Sequence, residues 1–282
     1  MQSIIHNRLF RFIAGVVIVV GLLVAALPSL LNLLGLHRPY PGKSFNLSGK
    51  RALIIATNHD TLGETGKATG VYASELTVPY YQFLDAYMQV DVASIQGGEI
   101  PIEPVSLRWP VATPEDRRFL ADRQLQDQVK HSLNIATLDF TKYDVVFMAG
   151  GWGAAYDLGY SPVLGEKISQ AYRAKIILGS VCHGALGFLQ AKDSSGEPLV
   201  KGKRMTAVTD KQVQELGIMI TPQHPERELR KAGALYESES AFLDIFASHV
   251  VIDGNLVTGQ NQNDGAQVAQ QMMTFLEKKS AP

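Results

Sequence analysis

The sequence predicts an α/β fold: a mainly parallel sheet sandwiched by helices, behind an N-terminal transmembrane helix. Three observations carry this expectation. Short apolar, β-rich runs alternate with helical patterns from Lys50 onward, the pattern of strands linked by crossover helices. One run, KIILGSVCHG at 175–184, passes directly into a cluster of small residues around the single cysteine, Cys182. The stretch 12–36 is apolar and uncharged over more than the roughly 20 residues a membrane helix needs.

The elements succeed one another along the chain. RALIIAT (51–57) is a first buried strand and VDVASI (90–95) a second; between them 71–87 has helical spacing, with Pro79 starting or kinking the helix. The charged, amphipathic stretch 114–134 is a surface helix. YDVVFMAGG (143–151) is a third strand running into glycines, 162–173 a helix, and 175–184 a fourth strand ending at the cysteine. Late strands come from the region near 234 and from 249–259. A final helix covers 265–279, with Lys278 and Lys279 in its last turn, where the helix dipole favours cations. In such sheets ligands bind beyond the carboxyl ends of the strands.

At the N-terminus, Arg8 and Arg11 precede the apolar run, and His37, Arg38 and Lys43 come after it. Its length and the absence of a small-x-small cleavage site favour an uncleaved anchor over a signal peptide. Positive charge on both sides barely sets the orientation; a short inside tail would place the soluble domain on the periplasmic side of a bacterial inner membrane. Residues 37–49, rich in Pro, Gly and Ser, read as a linker. The organisation is therefore 1–36 anchor, 37–49 linker and 50–282 domain.

Composition narrows the function. Among 282 residues, 46% are hydrophobic and 19% charged, and the net charge is −1. No basic stripe or nucleic-acid motif is present, so a nucleic-acid partner is not expected. One cysteine excludes an intrachain disulfide and a thiolate metal site. A lone cysteine is usually a small buried hydrophobe. Here, however, Gly179, Ser180, Gly184, Ala185 and Gly187 surround it, as a tight strand-to-helix nucleophile elbow requires. A sulfur at a helix N-terminus would be favoured as thiolate. His183 is adjacent, but neighbours on a sharp turn often point apart, so its contact with the sulfur is left open. In AGGWGAAYDL (149–158), the amides of Gly151 and Trp152, with that of His183, could form an oxyanion site. Glu75 stands in a helical stretch where a Glu is ordinarily a solvated surface residue.

Five ordered segments together resemble the ThiJ/PfpI superfamily, of the class I glutamine amidotransferase-like, flavodoxin-like fold, over roughly 50–278. The resemblance is closest to the branch of glyoxalase III and heat-shock-type chaperones. Its carriers are Thr69, Gly70, Glu75, Pro79 and Tyr80; Ala93, Ser94, Gly97, Gly98, Pro101, Glu103 and Pro104; Gly150–Leu158, with Trp152 where His is usual; Val181–Gly184; and Asp253–Asn261. The resemblance implies Cys182 as nucleophile, Glu75 as a buried acid contacting it, protonated or shuttling a proton, and His183 as triad histidine. The third triad position falls near Gln212 or Val213, and Asp210 is the nearest acid. The metal-binding His and Glu cluster of some relatives is not recognisable, and no cofactor is implied.

The leading functional expectation is a cofactor-independent, glyoxalase III-like lyase (D-lactate dehydratase type). It would act on methylglyoxal or a similar 2-oxoaldehyde, with protein deglycation as a related activity. A stress-related holdase chaperone, a cysteine amidohydrolase or peptidase, and a redox sensor oxidised at Cys182 are the alternatives. A homodimer is implied by the resemblance alone.

Overall fold

The computed structural model describes residues 2–280, with side chains from 10 to 279; Met1, Ala281 and Pro282, which end the expected anchor and domain ranges, lie outside the described residues. Seven strands form one sheet: β1 (Arg51–Ala56), β2 (Gln89–Ser94), β3 (Leu133–Asn134), β4 (Val145–Met148), β5 (Ile177–Val181), β8 (Val250–Asp253) and β9 (Leu256–Gly259). Their order is β3-β2-β1-β4-β5-β9-β8. Every pairing is parallel except β8–β9 at the edge, a hairpin turning at Gly254 (φ 62°). β4 and β5 are buried at every residue, and β1 at all but Arg51. Such continuous apolar runs form when helices cover both faces of a sheet.

On one face lie α2 (Ala73–Asp85) and α9 (Gly265–Ser280), packed against each other, with α3 (Pro114–Ala121) and α4 (Arg123–Lys130) beyond. Leu76, Tyr80, Phe83, Phe147, Val268 and Met272 share this core. On the other face α5 (Ala154–Asp157) and α6 (Pro162–Arg173) enclose Leu53, Ile55, Val146, Leu164, Ile168 and Phe188. Pro79 lies inside α2 and offers no N–H to the Glu75 carbonyl one turn back.

Some expected boundaries move, for local reasons. The single helix over 114–134 is two. The Asp122 side chain accepts hydrogen bonds from the Gln124 and Leu125 amides, so it caps α4 and ends α3. The strand near 234 is β7 (Leu235–Tyr236), which pairs with β6 (Arg204–Met205) in a separate two-stranded sheet. Between these lie α7 (Asp210–Glu215) and α8 (Pro225–Lys231).

The first helix, α1, spans Gln2–Leu34. Its stretch Phe10–Leu34, 25 residues, is the one segment among those described that is long and apolar enough to cross a membrane, and its side chains are largely exposed. The helix stops at Gly35, whose φ of 126° and close approach to the Phe246 carbonyl leave no room for a Cβ. The chain then closes onto the domain. Leu36, Phe45 and Leu47 are buried, the His37 amide donates to Asn263 Oδ1 (2.8 Å), and the Leu47 amide donates to the Ala86 carbonyl (2.8 Å). The stretch expected as a linker thus carries two core side chains.

Because the side chains of α1 from residue 10 to 26 are almost all exposed, a chain starting at Leu27 should melt within about 4 °C of the full protein by calorimetry. A larger fall would show that α1 supports the domain.

Candidate active site

Parallel register brings the ends of four central strands to one edge. Ile55 pairs with Met148, Met148 with Ser180, and Val181 with Gly259. The chain leaves β5 extended at Val181 (φ −133°, ψ 151°) and reverses at Cys182, whose φ is 56°. A non-glycine residue there stores on the order of 1–2 kcal/mol of strain. The turn closes because glycines clear its path. A Cβ on Gly184 would strike the Met148 carbonyl, and one on Gly150 would lie 2.5 Å from Glu75 Oε2 and 2.7 Å from the His183 amide nitrogen. From Cys182 to Phe188 the chain winds as a 3-10 turn, buried throughout.

Glu75 comes from the first turn of α2 and is 1% exposed. Its carboxyl faces the Cys182 sulfur and the Gly150 and Gly151 amides, and its Oε2 is buried without a hydrogen-bond partner. The Gly151 and His183 amides also point at the sulfur. On its other side, His183 Nδ1 lies 3.4 Å from Sγ. The adjacent histidine, whose direction the sequence left open, therefore reaches the sulfur.

Burial dominates the electrostatics. It raises the Glu75 pKa to about 8; the neighbouring Cys182 and amides oppose this, and the nearby Asp264 carboxylate adds to it. Burial, then the Glu75 charge, pushes the Cys182 thiol well above its ordinary value. Burial lowers His183 to about 3. The sequence-based expectation of a resting thiolate at a helix end is corrected here. Cys182 is only 5% exposed, and it begins a short 3-10 turn rather than an α-helix whose dipole could hold the charge. At neutral pH the resting site is a thiol beside a protonated carboxyl and a neutral imidazole.

Comparison with known proteins meets this geometry. The DJ-1/PfpI family matches residues 67–274, which include Glu75, Gly151, Cys182 and His183. The chain belongs to the DJ-1/PfpI family. Among its relatives is Glyoxalase 3 of Candida albicans, 27% identical over 81% of this chain and 98% of that protein. Another is glutathione-independent glyoxalase hsp3101 of Schizosaccharomyces pombe, 26% identical over 76% and 90%. The X-ray structure of Francisella tularensis Rapid Encystment Protein 24 kDa superposes with a TM-score of 0.75 at 31% identity, covering 80% of this chain and 99% of that one. The crystal structure of Candida albicans glyoxalase III shares the fold, with a TM-score of 0.73 at 24% identity, covering 80% and 96%.

Within this family member the structure gathers Glu75, Cys182, His183 and Gly151 at the strand ends. Trp152 is half-buried and packs against the α2–α9 core. Asp210 does not bond His183, whose Nε2 is buried without a hydrogen-bond partner. Instead Asp210 Oδ1 lies 3.8 Å from His224 Nδ1 and Oδ2 lies 3.4 Å from Arg227. Gln212, at the position where the resemblance puts the third triad member, donates to Gln262 Oε1 (3.3 Å) and accepts from Asn261 (3.2 Å). Sequence reasoning missed Tyr72, a buried phenol whose pKa is raised by burial and by the neighbouring Glu75; its spacing from Cys182 gives no signal. Among the described residues no group of three or more His, Cys, Asp or Glu is placed to hold a metal ion.

The raised Glu75 pKa has a thermodynamic sign. Its stabilising contribution is complete below about 4.5, the ordinary value, and is lost as pH rises through about 8. Raising pH across that window should lower the melting temperature of the wild type relative to Glu75→Gln, which cannot ionise. Parallel pH–stability curves for the two would show that Glu75 is ordinarily ionised.

Proposed function

We propose that this chain is a glutathione-independent glyoxalase that converts methylglyoxal or a similar 2-oxoaldehyde to a 2-hydroxy acid. The observation that carries the reading is the buried Glu75 carboxyl, its pKa raised to about 8, facing the Cys182 sulfur, with His183 Nδ1 3.4 Å away on the other side. The names of the relatives, glutathione-independent glyoxalases among them, support it.

The chemistry needs a nucleophile and a group that moves a proton near neutral pH. His183 accepts the thiol proton as Cys182 Sγ bonds to the aldehyde carbon, and the aldehyde oxygen becomes a hydroxyl, giving a hemithioacetal. The Gly151 and His183 amides face the reacting region and stabilise negative charge there. The carbon-bound proton then passes to the neighbouring ketone carbon through an enediol. Glu75 or His183 carries it, and a carboxyl tuned to about 8 is matched to that exchange at physiological pH. The product is a thioester. Water cleaves it, releasing lactate from methylglyoxal and restoring the thiol. No redox change or cofactor enters the balance, because one carbon is oxidised as its neighbour is reduced.

The same reading makes α1 a single-pass anchor. Its mainly apolar stretch of 25 residues spans about 37 Å, enough for a bilayer core. The enzyme would then work at a membrane surface.

The direct assay is lactate release from methylglyoxal without glutathione. Wild type should turn over, and Cys182→Ala should fall to the uncatalysed background. Equal rates for the two would overturn the reading.

A further inference from the structure

Where α1 meets the domain, the structure encloses a cavity of about 300 Å³, and none of the residues lining it belongs to the Cys182 site. Its apolar wall comes from Pro28 and Leu31 in the last two turns of α1, Leu36, Val78 of α2, and Pro110 and Val111 ahead of α3. Its polar wall holds Arg38, Arg117, Glu115 and His37. Two formal positive charges therefore face one negative charge, and the wall is net positive.

The polar groups of this wall have bonding capacity to spare. Arg38 Nη2 donates to the Leu33 carbonyl (3.0 Å), and Arg117 Nη1 donates to the Ala112 carbonyl (2.9 Å). Among the described residues no carboxylate pairs with either guanidinium. Each carries five N–H donors in a planar fork, a shape that fits phosphate oxygens. His37 Nε2 is buried without a hydrogen-bond partner, and burial lowers the ring to about 4, so it is neutral at pH 7. The cavity also has a bilayer-length neighbour. Pro28 and Leu31 belong to the stretch Phe10–Leu34, so one wall is the end of the segment long and apolar enough to cross a membrane. At the same level Tyr40 lines the cavity and is 37% exposed, and Trp109, next to Pro110, is 57% exposed. Tyr and Trp gather where a bilayer meets water.

We propose that this cavity binds the headgroup of an anionic phospholipid from the membrane that holds α1. The proposal rests on the reading of α1 as a single-pass anchor. Arg38 and Arg117 bind the phosphate oxygens by charge-assisted hydrogen bonds. Glu115 opposes part of that attraction and leaves the balance positive. A headgroup hydroxyl gives His37 Nε2 the partner it lacks. The glycerol lies on Pro28, Leu31 and Val111. A cavity of about 300 Å³ is at the small end of ligand sites: it takes a headgroup and glycerol, not two acyl chains. The chains run outside, along the exposed Leu30, Leu33 and Leu34 of α1. A bound lipid would thus fix the angle between the anchor and the domain.

The test is the melting temperature of the full chain in uncharged detergent micelles, titrated with one of three probes. These are phosphatidylglycerol, phosphatidylcholine with the same acyl chains, and inorganic phosphate. Phosphatidylglycerol should raise the melting temperature by about 4 °C or more. Phosphatidylcholine, which has no net charge, and phosphate, which has no chains, should raise it far less. The double variant Arg38→Gln/Arg117→Gln should abolish the difference between the two lipids. Glu115→Gln, which removes the one negative charge of the wall, should widen that difference and serves if the double variant does not fold. Equal shifts from the two lipids, or a phosphatidylglycerol shift unchanged in the double variant, would overturn the proposal. A phosphate shift as large as that of phosphatidylglycerol would also overturn it, because the site would then take a bare anion. The anchor reading is tested apart from this: release of the chain from membranes by alkaline carbonate would overturn that reading, while the micelle titration decides the lipid site.

Discussion

A carboxyl group removed from water costs several kcal/mol if it keeps its charge, and far less if it keeps its proton. Glu75 is placed to keep its proton: it sits in the first turn of α2, 1% exposed, against a sulfur and two glycine amides. Much of the local architecture serves that placement. Gly150 must lack a side chain because a Cβ would press on the carboxyl oxygen. Gly151 must lack one because its backbone (φ 98°) lies against Gly70 and Tyr72 at the entry to α2. The strained φ of Cys182 then turns its sulfur toward the carboxyl. Loss of any of these would separate the acid from the thiol.

The same burial settles the chemistry. A thiolate would be highly nucleophilic but would sit unneutralised in an apolar core. A thiol beside a neutral acid and a neutral imidazole is stable at rest, and ionises as the proton passes to His183 and substrate displaces what surrounds the sulfur. His183, lowered by burial to about 3, is a weak base alone.

The fold was readable because a doubly covered parallel sheet writes itself as short apolar runs between helical patterns, and β1, β2, β4, β5 and β9 fall on those runs. The turn at Cys182 was readable from its small neighbours, and Glu75 through the resemblance. Protonation was not readable, since it depends on burial by α2, α9 and the strand ends, which are distant in sequence. The length of the turn after Cys182 was also hidden: the pattern continues apolar whether the chain winds as α or 3-10. The packing of Leu36, Phe45 and Leu47 was masked by the Pro, Gly and Ser among which they stand.

The central claim is that Glu75 is protonated at neutral pH while in contact with Cys182. Infrared difference spectroscopy of wild type minus Glu75→Gln reads this directly, through the carbonyl stretch of a protonated carboxyl. The band should be present at pH 7 and fade as pH passes about 8. A spectrum that shows only carboxylate bands at pH 7 would contradict the account.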